Sequence, residues 1–281
     1  MKKVLSVLLL LIVSHSAIAS GNWTYNLESA KKMAIATNKL IFIDFTASWC
    51  GPCKRMERES WSDTEVKKLM SNYVPVQIDL DRNRILAQKY DVRGIPNLLI
   101  LDANGKVLYQ DMSYKTKSQV LSLLGKYALN MQFLQNEYSF FYKKKTLITS
   151  YRLANKLQEY SLYLKGDLRR VYLNLANEYI AEAKKFAEKN NETMANSVNK
   201  KIKFLRIQEA LYKGRSKKTL KLLSKIDSSE LDEYTYAQYC YLNCAAYKAA
   251  KDEVNEQKWA QKLAKTGKET PYIKKMKLLF N

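Results

Sequence analysis

Cys50 and Cys53 stand two residues apart in Trp49-Cys50-Gly51-Pro52-Cys53-Lys54, directly behind the apolar run Leu40-Ile41-Phe42-Ile43-Asp44-Phe45. Two thiols at that spacing suit half of a zinc site, a structural disulfide, or thiol-disulfide exchange, in which one thiolate attacks a partner sulfur and the second resolves the mixed disulfide. Zinc fits poorly: the other cysteines, Cys240 and Cys244, lie far along the chain at C-x-x-x-C spacing, and the only histidine is His15. The spacing therefore favours redox chemistry. Asp44 is the second group with chemical meaning. A carboxylate inside an apolar run either sits at a solvated strand end or is buried with its charged form disfavoured, which would match it to a thiol as proton acceptor.

The compartment follows from the first residues. Met1-Lys2-Lys3 is a charged start, Val4 to Val13 is apolar apart from Ser6, and Ala17-Ile18-Ala19 is a small-x-small cleavage site before Ser20. The pattern predicts a secretory signal peptide over residues 1–19, cut near Ala19, because the apolar stretch falls short of the ~20 residues a spanning helix needs. It has neither an arginine pair nor a cysteine at the cut, which points to a bacterial periplasm. Cleavage would remove His15 and with it imidazole chemistry, excluding Ser-His and Cys-His hydrolases.

Charge and chain breakers divide the remainder. The whole chain of 281 residues carries a formal +21, and without Lys2 and Lys3 a net of +19 remains. Residues 20–130 hold 16 basic and 11 acidic side chains, whereas residues 131–281 hold 30 and 16. The second stretch contains only Gly166, Gly214, Gly267 and Pro271 as breakers. A region so poor in breakers reads as successive helices, and a 20–130 domain followed by a 131–281 helical domain is the expected division.

The first stretch alternates helix and strand. Leu27 to Thr37 reads as an amphipathic helix and Leu40 to Phe45 as a strand covered on both faces. A helix is expected from about Pro52, restarted by a Ser62-x-x-Glu65 capping box. Val74 to Asp79 reads as a second buried strand and Arg84 to Tyr90 as a short helix. Asn97 to Leu101 and Lys106 to Gln110 form a hairpin across Asn104-Gly105, and Thr116 to Ala128 a closing helix.

This order, with Asp44, the Trp49 to Lys54 motif and Gly94-Ile95-Pro96, resembles the thioredoxin family over roughly Asn22 to Ala128. Around the motif, "KLIFIDFTASWC" and "SWSDTEV" look closest to exported bacterial members such as the thioredoxin-like domain of membrane thiol-reducing transporters. The resemblance implies an α/β thioredoxin fold, a central mixed sheet flanked by helices, and thiol-disulfide oxidoreductase activity carried by the dithiol without a further cofactor or metal. It departs at Gln77, where cytosolic members usually carry a buried lysine.

Within that frame Cys50, at a helix N-terminus where unpaired N–H groups favour a thiolate, is the expected nucleophile, and Cys53 the shielded resolving thiol. Pro52 has the φ of a first helical turn and, with Gly51, sets the two sulfurs. By resemblance Asp44 is the acid-base group for Cys53, and Gly94, Ile95 and a cis Pro96 offer backbone to a substrate strand, with Trp49 covering the disulfide. The Gly-Pro dipeptide implies a reductant of protein disulfides, recharged in an oxidising compartment by a membrane thiol transporter; an oxidase or isomerase, or a helical scaffold with a minor redox unit, is the alternative.

Beyond residue 130, apolar positions recur at three and four in Leu168 to Phe186, Ile202 to Tyr212, Thr219 to Ile226 and Tyr234 to Tyr247. "ALYKGRSKKTLKLL" is loosely echoed about 35 residues later by "AAYKAAKDEVNEQKWAQKL", a spacing near that of tetratricopeptide-like pairs, without their small-residue pattern. An irregular helical array that docks a protein partner is the expectation. Its lysines suit an anionic membrane, an acidic partner or a plain solvated surface, and lack the aromatic interleaving that nucleic acid calls for. Cys240 and Cys244, at i and i+4 of one helix, read as buried packing before they read as a second redox site.

Overall fold

The computed structural model describes residues 23–188 and 192–281, so the signal-peptide reading, His15 and the Ala19 cut lie outside the described residues. The chain opens with α1 (Leu27–Thr37), capped by Asn26, whose side chain accepts from Ser29 N, and closed by Asn38 in a left-handed conformation, φ 58°. Strand β1 (Leu40–Thr46) follows, then α2 (Gly51–Met56), a π-helical turn (Glu57–Trp61), α3 (Thr64–Met70) and β2 (Tyr73–Asp79). The unit continues through α4 (Arg84–Lys89), β3 (Asn97–Leu101), β4 (Val107–Asp111) and α5 (Lys117–Tyr127).

The sheet order is β2-β1-β3-β4, with β1 parallel to β2 and antiparallel to β3, and β3 antiparallel to β4. Strand β1 is central, and every residue from Leu40 to Phe45 is buried, as a continuous apolar run covered on both faces requires. The cap of α3 departs from expectation. Asp63, not Ser62, is the N-cap and accepts from Glu65 N and Val66 N, while the Ser62 hydroxyl donates to Arg58 O in the turn before it. The longer carboxylate side chain one residue later reaches two orphan donors at once.

A helical region completes the fold: α6 (Gln135–Lys143), α7 (Leu147–Ser161), α8 (Gly166–Glu188), α9 (Glu192–Tyr212), α10 (Ser216–Leu223), α11 (Glu233–Ala249), α12 (Glu253–Ala264) and α13 (Thr270–Phe280). Helices α7 and α8 pack along each other, as do α11 and α12. The echoed segments coincide with two helix-turn-helix corners, each turning on a positive-φ residue, Gly214 at 73° and Lys251 at 62°. The echo therefore reflects a shared corner; α10 and α12 differ in length, at 8 and 12 residues.

Packing does not pause at residue 130. One apolar core runs from Leu27 through the sheet to Met131, Leu134, Tyr138 and Phe141, and on to Tyr172, Tyr179 and Leu205. Polar bonds cross the same seam. Tyr179 donates to buried Asp102 at 2.5 Å, Lys106 pairs with Glu182 at 2.6 Å, and Tyr160 donates to Asn130 O at 2.9 Å. A second core gathers Leu173, Phe204, Ile207 and Leu211 with Cys240, Tyr241 and Leu242 of α11. Among the described residues no helix is long and apolar enough to cross a membrane.

Candidate active site

The dithiol stands where β1 gives way to α2. Cys50 is the N-cap of α2, and Gly51 and Pro52 occupy its first turn, where Pro52 costs no hydrogen bond. Cys50 and Cys53 form a disulfide with their Cα atoms 5.3 Å apart. Cys53 N donates to Cys50 Sγ at 3.2 Å, so a backbone donor is already aimed at the sulfur expected to carry charge when reduced. Both cysteines are covered, Cys50 at 3% and Cys53 at 4% exposure, in an apolar nest with Ala47, Leu80 and Ile95. Cys53 is thus shielded, and in the oxidised form Cys50 is covered as well, with Ala47, Leu80 and Ile95 packed against the pair.

Exposed residues ring that nest. Gly51 and Pro52 face solvent, and no atom stands within 4 Å of where a Cβ on Gly51 would be, leaving that side open. Trp49, next in sequence to Cys50, is 64% exposed with Nε1 donating to Asp81 Oδ2 at 2.9 Å, so its ring is no core aromatic. On the opposite side the Ile95-Pro96 peptide is cis, Pro96 is buried and Ile95 touches the disulfide nest. A Cβ on Gly94 would fall 2.8 Å from the sulfur of Met112, which is itself half exposed. Asp81 and Met112 are the contributors missed from sequence; each lies in a loop with no periodic signal.

On β1, the strand that leads into the dithiol, Asp44 is 2% exposed, in register with Gln77 of β2 and Leu98 of β3. Its Oδ2 accepts from Trp61 Nε1 at 3.1 Å and from Gln77 Nε2 at 3.5 Å, and its Oδ1 has no partner within the protein. Burial pushes its carboxyl up to about 7, against the two hydrogen bonds that lower it. The strand-end alternative is therefore not what the fold adopts. The π-helical turn is what brings Trp61 in: Glu57 and Glu59 stay exposed while Ser60 and Trp61 are buried. Trp61 also meets Trp23 and Phe42 edge to face.

Cys240 and Cys244 are free and buried on α11, far along the chain, Cys240 within the second core. Burial pushes both thiols up, that of Cys244 to about 11, the reverse of an activated cysteine. Among the described residues no group of Cys, Asp, Glu or His side chains is gathered to hold a metal ion.

Residues 27–128 match the thioredoxin-like domain family. Thioredoxin-1 of Drosophila melanogaster is 39% identical over 77 residues, which is 27% of this chain and 70% of that protein. Thioredoxin H4 of Arabidopsis thaliana is 40% identical over 81 residues, 29% of this chain and 63% of that one. The thiol:disulfide interchange protein DsbD of Colwellia psychrerythraea is 36% identical over 99 residues, 34% of this chain and only 16% of that larger protein. With a covered Cys50–Cys53 disulfide at a helix start, a buried carboxylate on the strand that leads into it and these relatives, the chain belongs to the thioredoxin family of thiol-disulfide oxidoreductases.

Proposed function

We propose that the protein is exported to the periplasm and reduces protein disulfides there, with Cys50 as nucleophile, Cys53 as resolving thiol and Asp44 as the proton acceptor for Cys53. The observation that carries this reading is the Cys53 N to Cys50 Sγ hydrogen bond at the start of α2, which favours negative charge on Cys50 once the pair is reduced. The Cys50 thiolate attacks one sulfur of a substrate disulfide, forming a Cys50–substrate bond and releasing the other substrate sulfur as a thiolate. The Cys53 thiol gives its proton to Asp44 and attacks Cys50 Sγ, which closes the Cys50–Cys53 bond and expels the second substrate thiolate. Two electrons pass to the substrate. The exposed Trp49, Gly51 and Pro52 and the backbone of Gly94 and Ile95, held by the buried Pro96, receive the substrate strand. A membrane thiol transporter returns the electrons, and the helical region engages a protein partner.

Two supports are independent of the nucleophile. The first 19 residues have the pattern of a cleavable signal. The Gly-Pro between the cysteines is the dipeptide of the reducing members of the fold, near −270 mV against about −120 mV for its strong oxidant. The test is trapping. Cys53→Ser is expected to accumulate mixed disulfides through Cys50 and Cys50→Ser few, and equal trapping by both variants would overturn the assignment. A potential above about −180 mV, with the pair oxidised in cells, would make the protein an oxidase or isomerase instead.

A further inference from the structure

Helix α8 carries a face that the redox chemistry does not use. Gly166, Arg170, Leu173 and Asn177 continue along it to Ala181 and Lys184 at helical spacing, and this stripe forms one wall of two cavities of about 420 and 470 Å³. Lys213 and Arg215 line both, so the cavities join into one groove. Its opposite wall comes from the end of α9, the Gly214 corner and α10.

The charge in this groove is unspent. Arg170, Lys184, Arg206, Arg215 and Lys218 make no ion pair and no cation–π contact among the described residues, whereas Lys213 is neutralised by Glu209 at 2.5 Å. Glu209 is the only acidic residue lining either cavity, and Asn177 and Lys213 already occupy its Oε1. Five uncompensated cations along the walls of a concave strip raise the local potential for anions.

We propose that this groove is a docking site for an extended acidic segment of a partner protein. The spread of the cations decides the shape of the ligand. From Gly166 to Lys184 the α8 wall runs about 27 Å at ~1.5 Å per residue, room for roughly eight residues of extended peptide. A single phosphate would need all the cations to converge on one point, and here they are strung along the groove, Arg170 in one cavity, Arg215 where the two meet, and Lys184, Arg206 and Lys218 in the other. Its lining mixes polar groups, Asn174 and Asn177 among them, with the apolar edges of Leu173, Ile180 and Leu222, which suits the backbone and aliphatic stems of a peptide. No exposed aromatic ring lines the groove to stack a base, Tyr212 being buried and bonded to Tyr241. A recessed strip between helices also lacks the protruding apolar residues that seat a helix in a bilayer.

The probe is a fluorescein-labelled peptide of about ten glutamates, titrated with the full chain and followed by fluorescence anisotropy near physiological salt. The triple variant Arg170→Glu, Arg206→Glu, Arg215→Glu is compared with Lys258→Glu, Lys265→Glu, Lys277→Glu, an equal charge change on exposed, unpaired lysines outside the groove. The groove variant is expected to bind at least roughly tenfold more weakly and the control less than about threefold, in line with a few tenths to one kcal/mol per exposed pair. Circular dichroism checks the fold, and Arg→Gln at the same three positions gives a milder version if charge reversal unfolds the chain. Equal losses in both triple variants, or no peptide binding by the wild type, overturn the proposal. Tighter, groove-dependent binding of an oligonucleotide or of phosphatidylglycerol vesicles would also overturn it and assign the surface to that class of ligand.

Discussion

Asp44 concentrates the chemistry of the site in one side chain. With its carboxyl near 7, the ionised fraction rises through neutrality, and in the proposed mechanism that fraction is the one able to take a proton from Cys53. Disulfide exchange is expected to accelerate with pH between about 6 and 8, and Asp44→Asn to slow it most above pH 7 and to flatten the profile. An unchanged stopped-flow profile would leave Asp44 a structural role only. The same shift fixes a sign for stability. A carboxyl whose folded value lies above its unfolded value of 3.8 adds stability that is full below about 4 and lost as pH rises through about 7. Asp44→Asn should therefore be the more stable protein at pH 8, by up to a few kcal/mol in urea unfolding, with the advantage shrinking toward pH 5. Asp44 was legible in sequence because a charge interrupts an apolar run. Trp61 was not, since nothing in its spacing announces the π-helical turn that aims its indole at Asp44.

At the scale of elements, the β3–β4 turn shows why some contacts escape sequence reading. Asn104-Gly105 is a turn signal and the hairpin forms as expected, with Gly105 at φ 87°. What the signal does not carry is Asp102, which accepts from Asn104 N and Lys106 N through Oδ1 and from Tyr179 of α8 through Oδ2. Burial pushes its carboxyl up to about 6 despite those bonds. Tyr179→Phe strips one donor from a buried carboxylate and is expected to cost about 1–3 kcal/mol in urea unfolding at neutral pH, and less near pH 5, where Asp102 is largely protonated. An equal cost at both pH values would mean that only packing was lost. Hydrophobic period places Tyr179 on the inner face of its helix; its partner, 77 residues earlier, is set by tertiary geometry.

Across the whole molecule, composition separated an α/β stretch from a helical one, and the elements follow that division. Composition could not show where the core divides, since apolar side chains on α6, α7 and α8 read alike whether they face each other or the sheet. They face both. A chain ending at Asn130 would uncover the faces on which Met131, Leu134, Phe141 and Tyr179 now pack. It is expected to unfold at lower urea and to associate at micromolar concentration, whereas a chain ending at Tyr212 keeps every side chain of that core, Ile202 and Leu205 included. Equal midpoints for the full chain and the 20–130 fragment would show the seam to be energetically idle.

The near-complete cover over the Cys50–Cys53 disulfide turns reactivity into a question of reach. Ala47, Leu80 and Ile95 pack against the two cysteines, while the space beside Gly51 stands open. A sulfur borne on a thin, protruding loop can enter from there; one set back in the face of a folded domain meets the rim first. Steric entry is therefore expected to grade client disulfides by how far they project before their potentials are ever compared.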